Sequence, residues 1–136
     1  MTRCEEDIGV LGKTIYGEAR GESVLGRAAV ANVIMNRVAR PGWWGRTVRG
    51  VCKKKWQFSC WNVNDPNLHV LKSVTKSNPT FRECLVVAEL AYSGLLKDNT
   101  LRATHYFNSA HASPKWAEGE LPCVVIGRHA FYNSIK

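Results

Sequence analysis

The chain has 136 residues, of which 45% are hydrophobic and 22% are charged, and its formal net charge is +8. This composition is typical of one folded domain with its own core, and it excludes a disordered chain. No apolar run approaches the roughly 20 residues of a membrane-spanning helix. We therefore expect a single domain over residues 1–136.

The N-terminal residues 1–7 are acidic and lack the basic and apolar regions of a signal peptide. We expect synthesis in the cytoplasm, with any export by another route. The five cysteines are an odd number, are widely spaced and include no CxxC pair. They are therefore expected to be mostly free thiols that pack as small hydrophobes.

Three long helices are predicted, and the first two lie within the first 40 residues. A capping box, Thr2-x-x-Glu5, begins the first helix, and its apolar stripe at Ile8, Leu11 and Ile15 also contains Glu18 and Glu22. A second helix is predicted from a Ser23 cap to about Arg40, where Pro41–Gly42 stops it. It is apolar around most of its circumference and should be the buried central helix.

The rest of the chain indicates less helix. Residues 41–78 are predicted to be irregular, with a short helix near 47–52, and Thr80-x-x-Glu83 is predicted to begin a third long helix whose apolar face ends at Leu95. Residues 103–108 and 123–132 are rich in β-branched and aromatic residues, which favours short strands. The expected fold is mainly α with a small β element, in the α+β class.

The positive charge is concentrated in one segment. Between Glu22 and Asp65 there are no acids, while the cations there are Arg27, Arg37, Arg40, Arg46, Arg49, Lys53, Lys54 and Lys55. This asymmetry indicates an anionic partner, such as a nucleic acid, a membrane surface or an acidic wall polymer. A solvated face that only maintains solubility is the simpler interpretation.

Glu18 is the leading candidate for chemistry. A carboxyl group held against apolar surface tends to stay protonated, and cleavage of a glycosidic bond needs a protonated carboxyl. Glu22, one turn further along, would lie on the same wall and could not flank a bond from the opposite face. A second carboxylate must then come from elsewhere, for example Asp65, or none is used. The alternative is that Glu18 and Glu22 are a buried structural pair whose charge an arginine neutralises. The candidate arginines are Arg20, Arg27 and Arg37.

The segment 56–62 interleaves aromatic rings with amides and a hydroxyl, a mixture typical of sugar sites and also found in ordinary loops. Residues 105–108 and 126–132 could form an opposite wall. The four histidines are scattered, and no metal-ligand spacing, phosphate loop or cofactor motif occurs. We expect no metal and no cofactor.

Several motifs follow one another along nearly the whole chain: Ile15–Glu22, Ala28–Arg37, Gln57–Asn62, His105–Asn108, Trp116 and Ile126–Tyr132. In this order they closely resemble the catalytic domain of the SleB/CwlJ-type cell-wall hydrolases, which include spore-cortex-lytic enzymes and phage endolysins. The resemblance implies a lysozyme-like fold and cleavage of peptidoglycan glycan strands between N-acetylmuramic acid and N-acetylglucosamine. It further implies lytic transglycosylation, with Glu18 as the acid and then as the base toward the C6 hydroxyl of the substrate. That mechanism needs no second carboxylate, because the nucleophile is already tethered to the sugar.

The same resemblance suggests roles for other residues by motif position. Supporting roles would fall to Glu22, Ser59 and Tyr106. Substrate-binding roles would fall to Gln57, Phe58, Trp61, Asn62, His105, Asn108, Trp116 and His129.

The missing secretion signal and wall-binding domain differ from the spore enzymes and would fit a phage endolysin. Such a monomer would be made in the host cytoplasm and act on the wall in the periplasm or outside the cell, with the basic segment contacting anionic wall or outer-membrane polymers.

Two alternative functions remain. One is a hydrolytic muramidase that uses water, assisted by Asp65 or Glu22. The other is a basic nucleic-acid-binding protein with stacking tryptophans at 43, 44, 56 and 61, which the residue order of the whole chain disfavours.

Overall fold

A computed structural model describes residues 2–111 and 113–136. Its elements in chain order are α1 (Arg3–Ala19), α2 (Val24–Ala39), α3 (Val48–Cys52), α4 (Pro66–Ser73), α5 (Pro79–Tyr92), β1 (His105–Asn108), β2 (Val124–Ile126) and β3 (His129–Tyr132). Single 3-10 turns occur at Ser59–Trp61 and Lys115–Ala117. The mainly helical α+β fold with a small β element is confirmed.

Local signals begin the first two helices where the sequence predicts. The Thr2 hydroxyl accepts a hydrogen bond from the Glu5 amide at 3.1 Å, and the Ser23 hydroxyl accepts one from the Gly26 amide at 3.3 Å. Each bond satisfies a backbone donor that the first helical turn leaves unpaired. Helix α2 is buried along most of its length and packs against α1, α3, α5 and β2, so it is the central helix as predicted.

Two predicted helix boundaries are wrong. Helix α1 ends at Ala19, so Glu22 lies in the following loop and does not share a helical stripe with Glu18. Helix α5 begins at Pro79 and not with a Thr80 capping box, because Asn78 provides the cap and accepts a hydrogen bond from the Phe81 amide at 3.1 Å. A side-chain acceptor at the cap followed by proline is a strong helix start. Leu95 lies beyond the end of α5 and is exposed.

The segment 41–78 is less irregular than predicted. The expected short helix is present as α3, but α4 was not predicted. The Asp65 carboxylate caps α4 by accepting a hydrogen bond from the Asn67 amide at 2.8 Å, and Pro66 occupies the first helical turn. Helix α4 packs on α1 and buries Leu71 completely.

The three strands form one antiparallel sheet in the order β1-β3-β2, in the segments where strands are expected. Strands β2 and β3 form a hairpin whose turn contains Gly127, with a positive φ of 58° that glycine tolerates. The register places His129 opposite Asn108. The sheet therefore brings the two predicted aromatic segments side by side.

All five cysteines are free thiols, and three of them, Cys52, Cys60 and Cys84, are buried as small hydrophobes, as predicted. Among the described residues, no helix combines the length and apolar character that crossing a membrane requires.

Candidate active site

A cleft of about 390 Å³ opens beside the last turn of α1. The predicted site residues that line it are Glu18, Gln57, Phe58, Ser59, His105, Tyr106, Asn108, Trp116 and His129. Four further residues line the cleft, namely Arg37, Trp56, Phe107 and His111. Trp56 and Phe107 lie in the two predicted wall segments but were given no role of their own, whereas Arg37 and His111 were not predicted to belong to the site. Three predicted site residues, Glu22, Trp61 and Asn62, do not line the cleft.

Glu18 is the only acid among the described residues that line this cleft. Burial raises the pKa of its carboxyl above the ordinary value, although hydrogen bonds from Tyr106 and Cys60 partly oppose the rise. The negative charge of Asp65 raises the pKa further. The group thus holds its proton to higher pH than a free glutamate, which is the property of a general acid.

The approach of α1 to the 59–61 turn depends on the residue before Glu18. A Cβ atom at Gly17 would lie 2.8 Å from both Cβ and Sγ of Cys60, so a larger residue could not occupy this position without a shift. This close approach lets the backbone of Cys60 hydrogen-bond to the Glu18 carboxylate. Gly17 lies within α1 and has no positive φ, so glycine is required here for its small size and not for its backbone freedom.

Tyr106 on β1 holds Glu18 from the other side of the cleft. Its hydroxyl donates to Oε1 of Glu18 at 2.7 Å. Its ring packs against His129 at 4.9 Å and Phe131 at 5.5 Å between centroids. Burial and the neighbouring Glu18 raise the pKa of Tyr106 well above its ordinary value, so the phenol remains a hydrogen-bond donor.

Arg37 is a buried cation in the cleft wall, with 5% of its surface exposed. Its Nε donates to the Thr104 carbonyl at 2.7 Å, and its Nη1 donates to Oε1 of Gln57 at 3.2 Å. Burial lowers the pKa of Arg37 to about 10, which still leaves it charged at neutral pH. The expected alternative, in which Arg37 neutralises Glu18, is wrong; Arg37 instead fixes the Gln57 amide and the start of β1.

Two of the three histidines that line the cleft, His105 and His129, are neutral near pH 7. Burial and the Arg37 charge lower the pKa of His105 to about 4, and its Nδ1 lies 3.0 Å from the Thr104 hydroxyl. Burial also lowers the pKa of His129, while Glu22 opposes that shift. Neither ring carries a proton that it could donate as an acid at neutral pH. The buried carboxyl of Glu18, with its raised pKa, is therefore a better proton donor near neutral pH than either of these rings.

Glu22 is engaged in a structural contact outside the cleft. Its Oε2 accepts from Nε and Nη2 of Arg128 at 3.0 and 2.8 Å, and its Oε1 accepts from the Arg128 amide at 3.2 Å. Burial would raise the pKa of Glu22, but these bonds outweigh it and lower the pKa. Its partner is Arg128 on the β2–β3 turn, so the expected partners Arg20, Arg27 and Arg37 are wrong.

The remaining predicted residues face elsewhere. The Trp61 indole Nε1 donates to the Thr14 hydroxyl at 2.9 Å, which turns the ring toward α1. Asn62 follows the 59–61 turn outside the cleft, and Asp65 is occupied as the cap of α4. Neither Asp65 nor Glu22 lines the cleft, so neither provides a second carboxylate beside Glu18.

Within residues 2–111 and 113–136, no group of three or more His, Cys, Asp or Glu side chains is arranged to hold a metal ion. Apart from the Glu18 carboxyl and the Arg37 guanidinium, the polar groups of the cleft are amides, hydroxyls and imidazoles placed among aromatic rings. Such a surface suits a neutral polar ligand with both flat apolar faces and hydroxyl groups.

Sequence comparisons find relatives along most of the chain. The profile of the family described as Cell Wall Hydrolase matches residues 21–132, beginning three residues after Glu18. Spore cortex-lytic enzymes of Bacillus cereus and Bacillus subtilis are 32% and 33% identical to this chain over 127 and 125 residues. These alignments cover 93% and 92% of this chain but 44% and 37% of the two enzymes, so the chain spans less than half of their length.

Solved structures resemble the whole fold. The catalytic domain of the germination-specific lytic transglycosylase SleB from Bacillus anthracis has a TM-score of 0.73 and 31% identity, covering 98% of this chain and 97% of that domain. The catalytic domain of the Bacillus cereus SleB protein has a TM-score of 0.72 and 32% identity, covering 95% and 91%.

Proposed function

The chain belongs to the Cell Wall Hydrolase family, and on this premise we propose that it is a peptidoglycan lytic transglycosylase with Glu18 as catalytic acid and base. The residues 1–136 would act as one catalytic domain. The bond cleaved is the one between N-acetylmuramic acid and N-acetylglucosamine. The similarity to the Bacillus anthracis lytic transglycosylase domain supports the reaction type.

The observation that carries this proposal is the position of one buried carboxyl. Glu18 lines the cleft with a raised pKa and with no other described acid beside it in the lining. An enzyme that relied on two carboxylates would need a second one across the scissile bond. A single acid is sufficient when the substrate provides the nucleophile.

The reaction proceeds in two proton transfers. Glu18 first donates its proton to the glycosidic oxygen as the C1–O bond of N-acetylmuramic acid breaks. The resulting carboxylate then takes the proton of the C6 hydroxyl, whose oxygen forms a bond to C1 and closes a 1,6-anhydro ring. The acid is regenerated and no water is consumed, so atoms and charges balance. The tethered hydroxyl supplies a high effective concentration.

Polar and aromatic groups around Glu18 would hold the sugar for this reaction. Tyr106 fixes the carboxyl, and Arg37 fixes the amide of Gln57 so that it can bond to hydroxyl or acetamido groups. We assign the remaining substrate contacts to the lining residues Phe58, Ser59, His105, Asn108, Trp116 and His129. Glu22 would act indirectly by holding the turn that precedes His129.

We infer that an exposed group of cations, the basic face, binds anionic wall or outer-membrane polymers. We define it as Arg46, Arg49, Lys53, Lys54 and Lys55, all of which are exposed. Among the described residues, none of these cations forms an ion pair. Lys55 directly precedes the cleft residues Trp56 and Gln57, so a polymer held on this face would lie close to the cleft.

We further propose that the chain is a monomeric, bacteriolytic endolysin of phage type, which attacks the wall of intact cells. A lysis assay on intact vegetative cells, compared with purified spore cortex, tests it. Preference for cortex alone would favour the role that the names of the Bacillus relatives indicate.

Glu18→Gln tests the central proposal. This variant keeps the shape of the side chain but can neither donate nor accept the proton, so we expect near-complete loss of wall cleavage with the fold retained. Mass spectrometry of the wild-type digest should find anhydro-muramic ends. Reducing ends would instead support the hydrolytic muramidase, and full activity of Glu18→Gln would overturn the assignment of Glu18.

A further inference from the structure

Trp56 has a backbone conformation that its residue type disfavours. Its φ is 68°, in the left-handed region where the Cβ atom of any residue other than glycine crowds the backbone. It is the third residue of the turn 54–57, which is closed by a hydrogen bond from the Gln57 amide to the Lys54 carbonyl at 3.1 Å. A positive φ at this position normally selects glycine or asparagine. The backbone therefore provides no reason for a tryptophan here.

The packing of the indole does not explain the residue either. The Trp56 side chain is 68% exposed and belongs to none of the buried hydrophobic clusters of the described residues. The Lys55 ammonium lies 5.8 Å from its ring centroid. A ring that is mostly in water contributes little to the core, so fold stability does not require it.

The residue does lie on the wall of the cleft. Trp56 lines the cleft together with Glu18 and is followed directly by Gln57, whose amide is held by Arg37. A flat aromatic face beside an oriented amide matches a pyranose ring, because the ring stacks on C–H groups while the amide bonds to a hydroxyl or acetamido group. Backbone strain in proteins concentrates at ligand sites of this kind.

We propose that Trp56 is a sugar-binding residue whose indole stacks on one pyranose ring of the glycan strand at the rim of the cleft. The proposal rests on the proposed function, because it takes the glycan strand as the ligand. Trp56 contributes affinity and its indole exchanges no proton with the substrate, so it is a binding residue and not a part of the proton-transfer chemistry. Its strained conformation is retained for binding at the expense of stability.

The test measures binding and stability in the same variants. In the Glu18→Gln background, which cannot complete cleavage, Trp56→Gly should weaken binding of soluble peptidoglycan glycan strands by about tenfold. The same substitution should leave Tm unchanged or raise it by up to about 4 °C, since glycine relieves the left-handed strain. Trp56→Phe should retain most of the affinity. In the active chain, Trp56→Gly should raise KM more than it lowers kcat.

Leu101→Gly is the matched control. Leu101 also has a positive φ, of 57°, and is 62% exposed, but it does not line the cleft. Its glycine variant should show the same effect on Tm without weakening glycan binding. Trp56→Asn, which also tolerates a positive φ, provides a second variant without the ring if the glycine variant folds poorly.

The outcomes separate this proposal from the proposed function. Unchanged binding in Trp56→Gly and Trp56→Asn would overturn the stacking role, even if the wild-type chain releases anhydro-muramic products. A binding loss fully explained by unfolding would overturn it too. If the wild-type chain releases no products but Trp56→Gly weakens binding, the proposed function fails and the stacking role stands.

Discussion

The Tyr106 hydroxyl donates a 2.7 Å hydrogen bond to Oε1 of Glu18, joining the first strand of the sheet to the last turn of α1 across 88 positions of the chain. This bond favours the ionised carboxyl, whereas burial favours the protonated one, and burial dominates. The proton affinity of Glu18 therefore depends on a balance between burial, which raises it, and hydrogen bonding, which lowers it.

Removing the Tyr106 hydroxyl should raise the pKa of Glu18. Tyr106→Phe takes away a bond that lowers the pKa of Glu18, so we expect the alkaline limb of kcat/KM, where the acid loses its proton, to move to higher pH. The loss of orientation should also reduce the maximal rate about tenfold. Tyr92→Phe is the control, because Tyr92 donates to Asp7 outside the cleft. A limb that stays in place, or moves to lower pH, would contradict this account.

Glu18 should lower stability as the pH rises. Because its pKa is raised in the folded state, the folded chain binds more protons than the unfolded one between the two pKa values. The stabilising effect is present below the unfolded value of 4.5 and is lost as the pH rises through the folded pKa. Glu18→Gln should thus have a higher Tm than the wild type at pH 8 and nearly the same Tm at pH 4. A difference that does not vary with pH would show that the carboxyl is not a desolvated acid.

Glu22 should have the opposite pH dependence. Its pKa is lowered in the folded state by Arg128, so its contribution is present above the unfolded value and is lost as the pH falls through the folded pKa. Glu22→Gln should cost about 1 kcal/mol near pH 7, because it loses the charged contacts but can keep one amide bond, and less at acid pH. Activity should fall only moderately. Complete inactivation of a folded Glu22→Gln variant would instead favour the hydrolytic mechanism with Glu22 assisting.

Gly17 and Gly9 form a matched pair on α1. Gly17→Ala would place a methyl group 2.8 Å from Cβ and Sγ of Cys60 and should cost about 1–3 kcal/mol while displacing Glu18. Gly9→Ala meets no atom within 4 Å and should instead stabilise the helix by about 0.5–1 kcal/mol with activity unchanged. Thermal denaturation and the cleavage rate of each variant check both signs. Equal effects of the two substitutions would exclude the space requirement at Gly17.

The basic face should affect attack on whole cells more than cleavage itself. The triple variant Lys53→Glu, Lys54→Glu, Lys55→Glu should lower lysis of intact cells several-fold at low salt and change cleavage of soluble fragments less. High salt should reduce the difference, since roughly 1 M salt screens charges beyond about 3 Å. The control reverses three other exposed lysines, at 72, 76 and 97, for the same change in net charge. Equal losses in both assays, or in both triple variants, would argue against a binding face.

Sequence patterns identified the start of α1, both boundaries of α2 and the two segments that contain the strands, because caps and periodicity act within a few residues of one another. The helix starts at Asn78 and Asp65 were missed although each has a cap followed by proline. Both starts follow the same local cap–proline pattern, so the sequence near each position is sufficient to predict them. The position of Glu18 in the cleft also agrees with the apolar stripe that predicts its burial.

The sequence by itself determined the helical class, the strand segments, the charge asymmetry and the choice of Glu18 as the leading acid. Only the tertiary structure decided that Glu22 pairs with Arg128, 106 positions away, that Arg37 holds Gln57, and that Trp61 turns toward α1 while Trp56 lines the cleft. The physical reason is the separation along the chain between the groups that interact. A helix cap is selected by backbone groups three residues away, whereas the partner of a charged or aromatic side chain is selected by whichever distant segments the fold brings within hydrogen-bonding distance.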